Sequence, residues 1–155
     1  ENGLLDRSAL EEKAVAATSQ YRTLSTDIKL KEQRMAEIKI MQQHIINYAK
    51  TRDVYVAYRK AGYSKKFLSE HESEIILHKA AKQFFDEQGL KKLPTVKSLQ
   101  AEYSDLLVQK KLDYAALAKA REEARQLQIY KANAEMLLRT DAEEQRQTRE
   151  RQQEK

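Results

Sequence analysis

Tyr55, Tyr58 and Tyr63 stand among six basic residues between Lys50 and Lys66, with Asp53 the one acid in that stretch. Two chemistries use such a set. Basic side chains bind phosphates, and aromatic faces stack on unpaired bases. A tyrosine hydroxyl can also act as a covalent nucleophile on DNA, but it needs a metal or general base held beside it. Tyr55 and Tyr58 share a helical face, yet no histidine-rich cluster accompanies them, so catalysis by these tyrosines is not expected. The first chemistry assigns Arg52, Arg59, Lys60, Lys65, Lys66, Lys91 and Lys92 to phosphates and Tyr63 to stacking. The competing reading is that the tyrosines pack a corner while the lysines solvate it and offset the helix dipole. Glu70, Glu72 and Glu74 follow closely and dilute the basic patch.

The remaining chemical candidates are weaker. His71 and His78 in "HESEIILH" lie on one helical face, roughly 10 Å apart along the axis. That is too far for one metal ion without Glu74 as an intermediate ligand, and no second ligand set is evident. These histidines are expected to be structural or solvent-facing. There is no phosphate-binding glycine loop, no supported Ser-His-Asp set and no zinc spacing. No metal or cofactor is expected.

Composition narrows the scaffold. Of 155 residues, 34% are charged and 41% hydrophobic, with three glycines, one proline and no tryptophan. A sheet protein would need more turn residues, so long helices that bury one stripe fit better. The absence of cysteine excludes disulfides, thiolate nucleophiles and thiolate metal sites. The longest apolar runs are five residues, Val54 to Tyr58 and Tyr114 to Ala118, against the on-the-order-of 18 that a membrane helix requires. No membrane insertion is expected. The net charge of +5 permits a polyanionic partner without demanding one, because 24 acidic residues are interspersed. A first residue other than methionine and a polar end suggest a piece of a larger protein.

The elements that would carry these residues follow from periodicity. Neither glycine nor proline occurs from Leu4 to Ala61. A heptad through 10, 14, 17, 21, 24, 28, 31, 35, 38, 42, 45, 49, 52 and 56 is apolar at eleven of its fourteen positions, the misses being Lys31, Gln42 and Arg52. Such a run signals a coiled coil. Asp6 or Ser8 can cap its start, and Gly62 should end it. Ser64 can cap a second helix, Lys65 to Gln88, with a kink near His71. Its broad apolar stripe, which includes Ile76, Leu77 and Ala80, suggests two packing neighbours. Gly89 ends it. Thr95 can cap a third helix, whose seam runs from position 99 to 138. A stutter is expected at Lys110 and Asp113, with Leu107 and Tyr114 taking over. Helices are thus expected at about 5–61, 65–88 and 96–138. Residues 139–155 form a polar helical extension or a disordered tail.

The predicted fold is all-α: a long antiparallel coiled-coil hairpin with a short helix packed at its tip, and Lys91, Lys92 and Lys97 near that tip. A four-helix dimer of two hairpins is the competing arrangement.

The wording of "HIINYAKTRDVYVAYRKAGYSKKFLSEHESEIILHKAAKQFFDEQGLKKLPTVKSLQAEY", His44 to Tyr103, resembles the C-terminal helical region of relaxase/mobilisation proteins of Gram-positive conjugative and mobilisable elements. "YKANAEMLL", Tyr130 to Leu138, resembles that region's closing segment. The resemblance implies a cytoplasmic bacterial host protein that nicks DNA at an origin of transfer. Its N-terminal domain would supply the tyrosine and the histidine-bound metal. Neither motif has a counterpart here, so no catalytic residue is carried over and the chain itself is expected to be non-enzymatic. It would be an accessory region that contacts DNA or conjugation-machinery proteins. The alternative is a protein-interaction or dimerisation coiled coil with no DNA role.

Overall fold

A computed structural model describes the backbone of residues 2–154 and the side chains of residues 7–154. Its elements are four helices: α1 (Asn2–Lys60), α2 (Lys65–Glu70), α3 (Glu72–Glu87) and α4 (Val96–Gln153). The described residues contain no strand. The chain divides into two compact units, Leu30–Lys110 and Glu1–Lys29 with Lys111–Lys155.

Leu30–Lys110 holds the better-formed core. Ile38, Met41 and Leu99 are buried together, and Ile45, Phe84, Leu90, Tyr103 and Leu106 pack around them. Here α1 meets the start of α4 in opposite senses: Gln42 lies by Val96 and Gln100, Arg34 by Glu102, and Glu32 by Lys110. Gln42 breaks the apolar seam because it is a register pin. Its amide nitrogen donates to the Val96 carbonyl and to Gln100 Oε1, both at 3.3 Å, from a site that is only 7% exposed. A polar residue at a seam position fixes register at some cost in stability. Arg34 reaches across as a two-pronged pair, with Nε and Nη2 donating to Glu102 at 2.8 and 3.0 Å. The pairing holds the Glu102 carboxyl below its ordinary range and raises the Arg34 guanidinium, the mutual hydrogen bond being the largest cause on both sides.

The heptad reading of α1 fails after Ile45. Ala49, Arg52 and Val56 face solvent, whereas Thr51 and Tyr58 are buried and Tyr48 and Tyr55 half-buried. The reason is an exchange of partners. Up to Gln42, α1 faces α4. From His44 onward it faces α3, with Phe84 against His44, Phe85 against Tyr48 and His78 against Tyr48 and Tyr55. α3 occupies a different side of α1, so the buried stripe advances by three successive three-residue steps, 35 to 38 to 41 to 44, and then continues through 48, 51, 55 and 58. Against the 4-3 alternation of a heptad this adds two three-residue steps, each a stammer.

The second helix of the sequence reading is two helices. His71 leaves the helical region at φ −126, ψ 29, ending α2 and starting α3. Glu72 and Glu74 then occupy the first turn of α3, where the helix dipole favours negative charge. The α3 stripe is also narrower than expected. Ile75, His78, Ala81 and Phe85 are buried, while Ile76 and Leu77 are 56% and 43% exposed and Ala80 is exposed.

Both turns have the same local cause. Gly62, at φ 64, donates its N–H to the Arg59 carbonyl, and Tyr63 donates to the Tyr58 carbonyl. Gly89, at φ 65, donates to Asp86, and Leu90 donates to Phe85. Each is a Schellman ending, which satisfies two orphan carbonyls and needs a residue that tolerates positive φ. Ser64 then caps α2 by accepting from the Phe67 N–H, and Thr95 caps α4 by accepting from the Ser98 N–H.

The unit of Glu1–Lys29 with Lys111–Lys155 is plainer. On α1, seam positions 10, 14, 17, 21, 24 and 28 are buried or half-buried, as are 113, 117, 120, 124, 127, 131 and 134 on α4. Arg7 pairs with Glu135 at 3.6 Å and Glu11 with Lys131 at 3.7 Å, again in opposite senses. The expected stutter is absent: Lys110 and Asp113 stay on the seam, while Leu107 and Tyr114 are 36% and 46% exposed. Lys110 keeps its place because its long stem lies along the seam while its ammonium reaches Glu32 at 3.7 Å. α1 already begins at Asn2, so Ser8 is an exposed residue inside it and not a cap; the Asp6 side chain lies outside the described residues. α4 continues to Gln153, so residues 139–153 of the polar segment are helical and exposed.

Candidate nucleic-acid interface

The corner between α1 and α2 gathers most of the predicted contacts. Arg59 and Lys60 close α1, Lys65 and Lys66 open α2, and the Gly62–Ser64 turn lies between them. Arg52 sits two helical turns before Arg59 on the same face, about 10 Å along the axis. All five cations are exposed, and none is held in an ion pair with another described residue. Tyr63 is 56% exposed and stands at φ 58, a conformation that a side chain bearing Cβ rarely adopts. Its ring meets Tyr58 edge to face, with centroids 5.2 Å apart. This is the apolar contact between the residue after the glycine and the last helical turn that accompanies Schellman endings.

Lys91 and Lys92 do not belong to this corner. They are exposed in the Gly89 turn, at the other end of α3. α2 and the sixteen residues of α3 lie between the two turns, and α3 alone is about 24 Å long. The sequence reading joined them by placing the start of α4 at the end of α1; α4 instead begins beside Gln42.

Sequence reasoning carried the packing of the tyrosines at the corner as its competing reading, but missed the histidines and phenylalanines that join them. Ten rings form one connected ladder: His71, Phe67, Tyr63, Tyr58, Tyr55, His78, Tyr48, Phe85, Phe84 and His44. All three histidines belong to it. His78 is 4% exposed and lies between Tyr48 and Tyr55, with centroids at 4.5 and 4.3 Å and planes within 21° and 15°. Its Nδ1 is 3.0 Å from Thr51 Oγ1, and the Thr51 hydroxyl also lies 2.6 Å from the Asn47 carbonyl. Burial lowers the His78 pKa, with the nearby Lys82 charge adding to the effect and a hydrogen bond with the Tyr48 backbone opposing it. The available signal was the spacing of Thr51, Tyr55 and Tyr58, which abandons the heptad where the aromatic residues begin.

The tyrosines are therefore packing groups first. Tyr58 is 6% exposed against Phe67 and Tyr63, and Tyr55 is stacked on His78. Among the described residues no three His, Cys, Asp or Glu side chains are placed to share a metal ion. No described helix is long and apolar enough to cross a membrane. No protein-family model, curated protein or solved structure matches the chain.

Proposed function

We propose that this chain is a non-catalytic accessory region of a conjugative DNA relaxase, acting in the bacterial cytoplasm, and that the Gly62 corner contacts DNA. The observation that carries the DNA contact is the corner itself. Four exposed cations, Arg59, Lys60, Lys65 and Lys66, flank an exposed Tyr63 on a turn held by two backbone hydrogen bonds and the aromatic ladder. Arg52 extends the row along α1. A prepared backbone lowers the ordering cost of binding. The relaxase assignment is supported only by the wording of His44 to Tyr103 and of Tyr130 to Leu138. In this reading α1 and α4 form an antiparallel coiled-coil hairpin that carries the corner.

The test is a titration of the 155-residue chain with single- and double-stranded oligonucleotides, followed by fluorescence anisotropy at several salt concentrations. If all five cations meet phosphates, log K against log salt has a slope of about −3.5 for a single strand and about −4.5 for a duplex. Absence of binding at low salt defeats the reading.

A second reading, a protein-interaction or dimerisation surface, is favoured by a separate observation. Ile129, Tyr130, Met136 and Leu137 of α4 are 46% to 65% exposed. Exposed apolar patches mark contact sites. Sedimentation equilibrium distinguishes a self-associating chain from a monomer.

A further inference from the structure

The buried imidazole between α1 and α3 has a chemistry that nucleic-acid contact does not use. The Thr51 hydroxyl owns one proton and gives it to the Asn47 carbonyl at 2.6 Å. Its 3.0 Å contact with His78 is therefore donated by the imidazole, which fixes the neutral tautomer with hydrogen on Nδ1. A second proton would go to Nε2 and place a positive charge on a side chain that is only 4% exposed.

We propose that the α1–α3 contact is a proton-operated clasp, in which charging His78 between Tyr48 and Tyr55 releases α3 from α1. The groups around the ring decide the direction. From α1 it meets two tyrosine faces and the Thr51 hydroxyl, all uncharged. From α3 the charge that acts on it is Lys82, a cation, and no carboxylate acts on it. The tyrosine faces attract an imidazolium, and the Tyr48 backbone favours it. Loss of hydration and the Lys82 charge oppose it and prevail.

The other two histidines divide. His44 stacks on Phe84 across the same α1–α3 contact, and its buried Nδ1 has no partner. His71 has Glu74 at 3.6 Å and sits at the α2–α3 joint, outside the α1–α3 contact. His71 is not the trigger.

The sign follows from linkage. The docked state prefers neutral His78, so the released state binds the proton more tightly. The clasp is fully closed above the ordinary value of 6.5 and weakens as pH falls from there toward the lowered pKa.

The test combines histidine side-chain NMR with hydrogen exchange on the 155-residue chain, from about pH 7.5 to about pH 5. Expected are the Nδ1–H tautomer of His78 at the upper pH and titration below 6.5. Protection of α3 amides should fall roughly threefold or more relative to α4 amides beside Leu99 as His78 titrates. In His78→Phe, which keeps the stack and removes the proton site, α3 protection should stay level. Titration at or above 6.5, unchanged α3 protection in the parent chain, or an equal loss in His78→Phe each overturns the proposal. If His78→Phe does not fold, the two measurements on the parent chain decide.

Discussion

The change of packing partner along α1 can be tested with two substitutions eighteen residues apart. Ile38 and Val56 both fall on the unbroken heptad, so a straight seam would bury them alike. Ile38 is 0% exposed and sits with Met41 and Leu99, whereas Val56 is 38% exposed. Ile38→Ala removes three carbons from a site ringed by Ile45, Phe84, Leu90 and Tyr103. It should cost about 3 kcal/mol, within the range for buried isoleucine truncation. For a chain of this size that corresponds to a fall of about 6–12 °C in the thermal midpoint. Val56→Ala removes partly solvated methyls and replaces a β-branched residue with the best helix former. Its net cost should be about 0.5 kcal/mol or less. Thermal melts followed by circular dichroism, with urea titration as a second probe, measure both. A Val56→Ala cost of about 2 kcal/mol or more would refute the phase shift and restore the straight seam.

Gln42→Leu should leave the helices intact but remove the donor that ties α1 to Val96 and Gln100, loosening the start of α4; faster amide exchange there is the readout. Glu102→Gln should cost less than about 1 kcal/mol, because both partners of the Arg34 pair are over a third exposed. Glu102 has a lowered pKa, so its contribution is complete above the ordinary 4.5 and is lost as pH falls below it; Glu102→Gln should flatten that part of the acid-stability curve. Gly62→Ala should destabilise by about 1–2 kcal/mol, since nothing crowds the added carbon and the cost is that of φ 64 alone; urea titration measures it.

What could be read from the sequence was local. Gly62, Ser64, Gly89 and Thr95 punctuate the chain through their own backbone preferences, and each does so where the residue type dictates. The seam of α1 through Ile45 was legible because a single partner face imposes a single period. Beyond Ile45 the period is set by a different helix, and no local preference announces that exchange. The same limit explains Lys110 and Asp113. Polar residues on a seam look like a stutter until a partner such as Glu32 comes within reach of the lysine. The candidate site divided in the same way. Arg59, Lys60, Tyr63, Lys65 and Lys66 are neighbours in sequence and remain neighbours at the corner. Lys91 and Lys92 were joined to them by an assumed topology, and the length of α3 separates them. His78 was hidden because an imidazole buried between two tyrosines differs from a solvent-facing one only through residues about thirty positions away.

The proposed DNA contact is tested most directly by comparing two charge reversals of equal size. Lys65→Glu with Lys66→Glu alters the Gly62 corner, and Lys91→Glu with Lys92→Glu alters the Gly89 turn at the far end of α3. Each changes the net charge by the same amount, so general electrostatic attraction falls equally. Oligonucleotide affinity is then measured across salt for both and for the parent chain. The account predicts that the first pair lowers the salt slope by about two phosphate contacts, or about 1.4 for a single strand, and that the second leaves the slope near the parent value. Equal slopes for the two pairs, or a greater loss from Lys91 and Lys92, would contradict it.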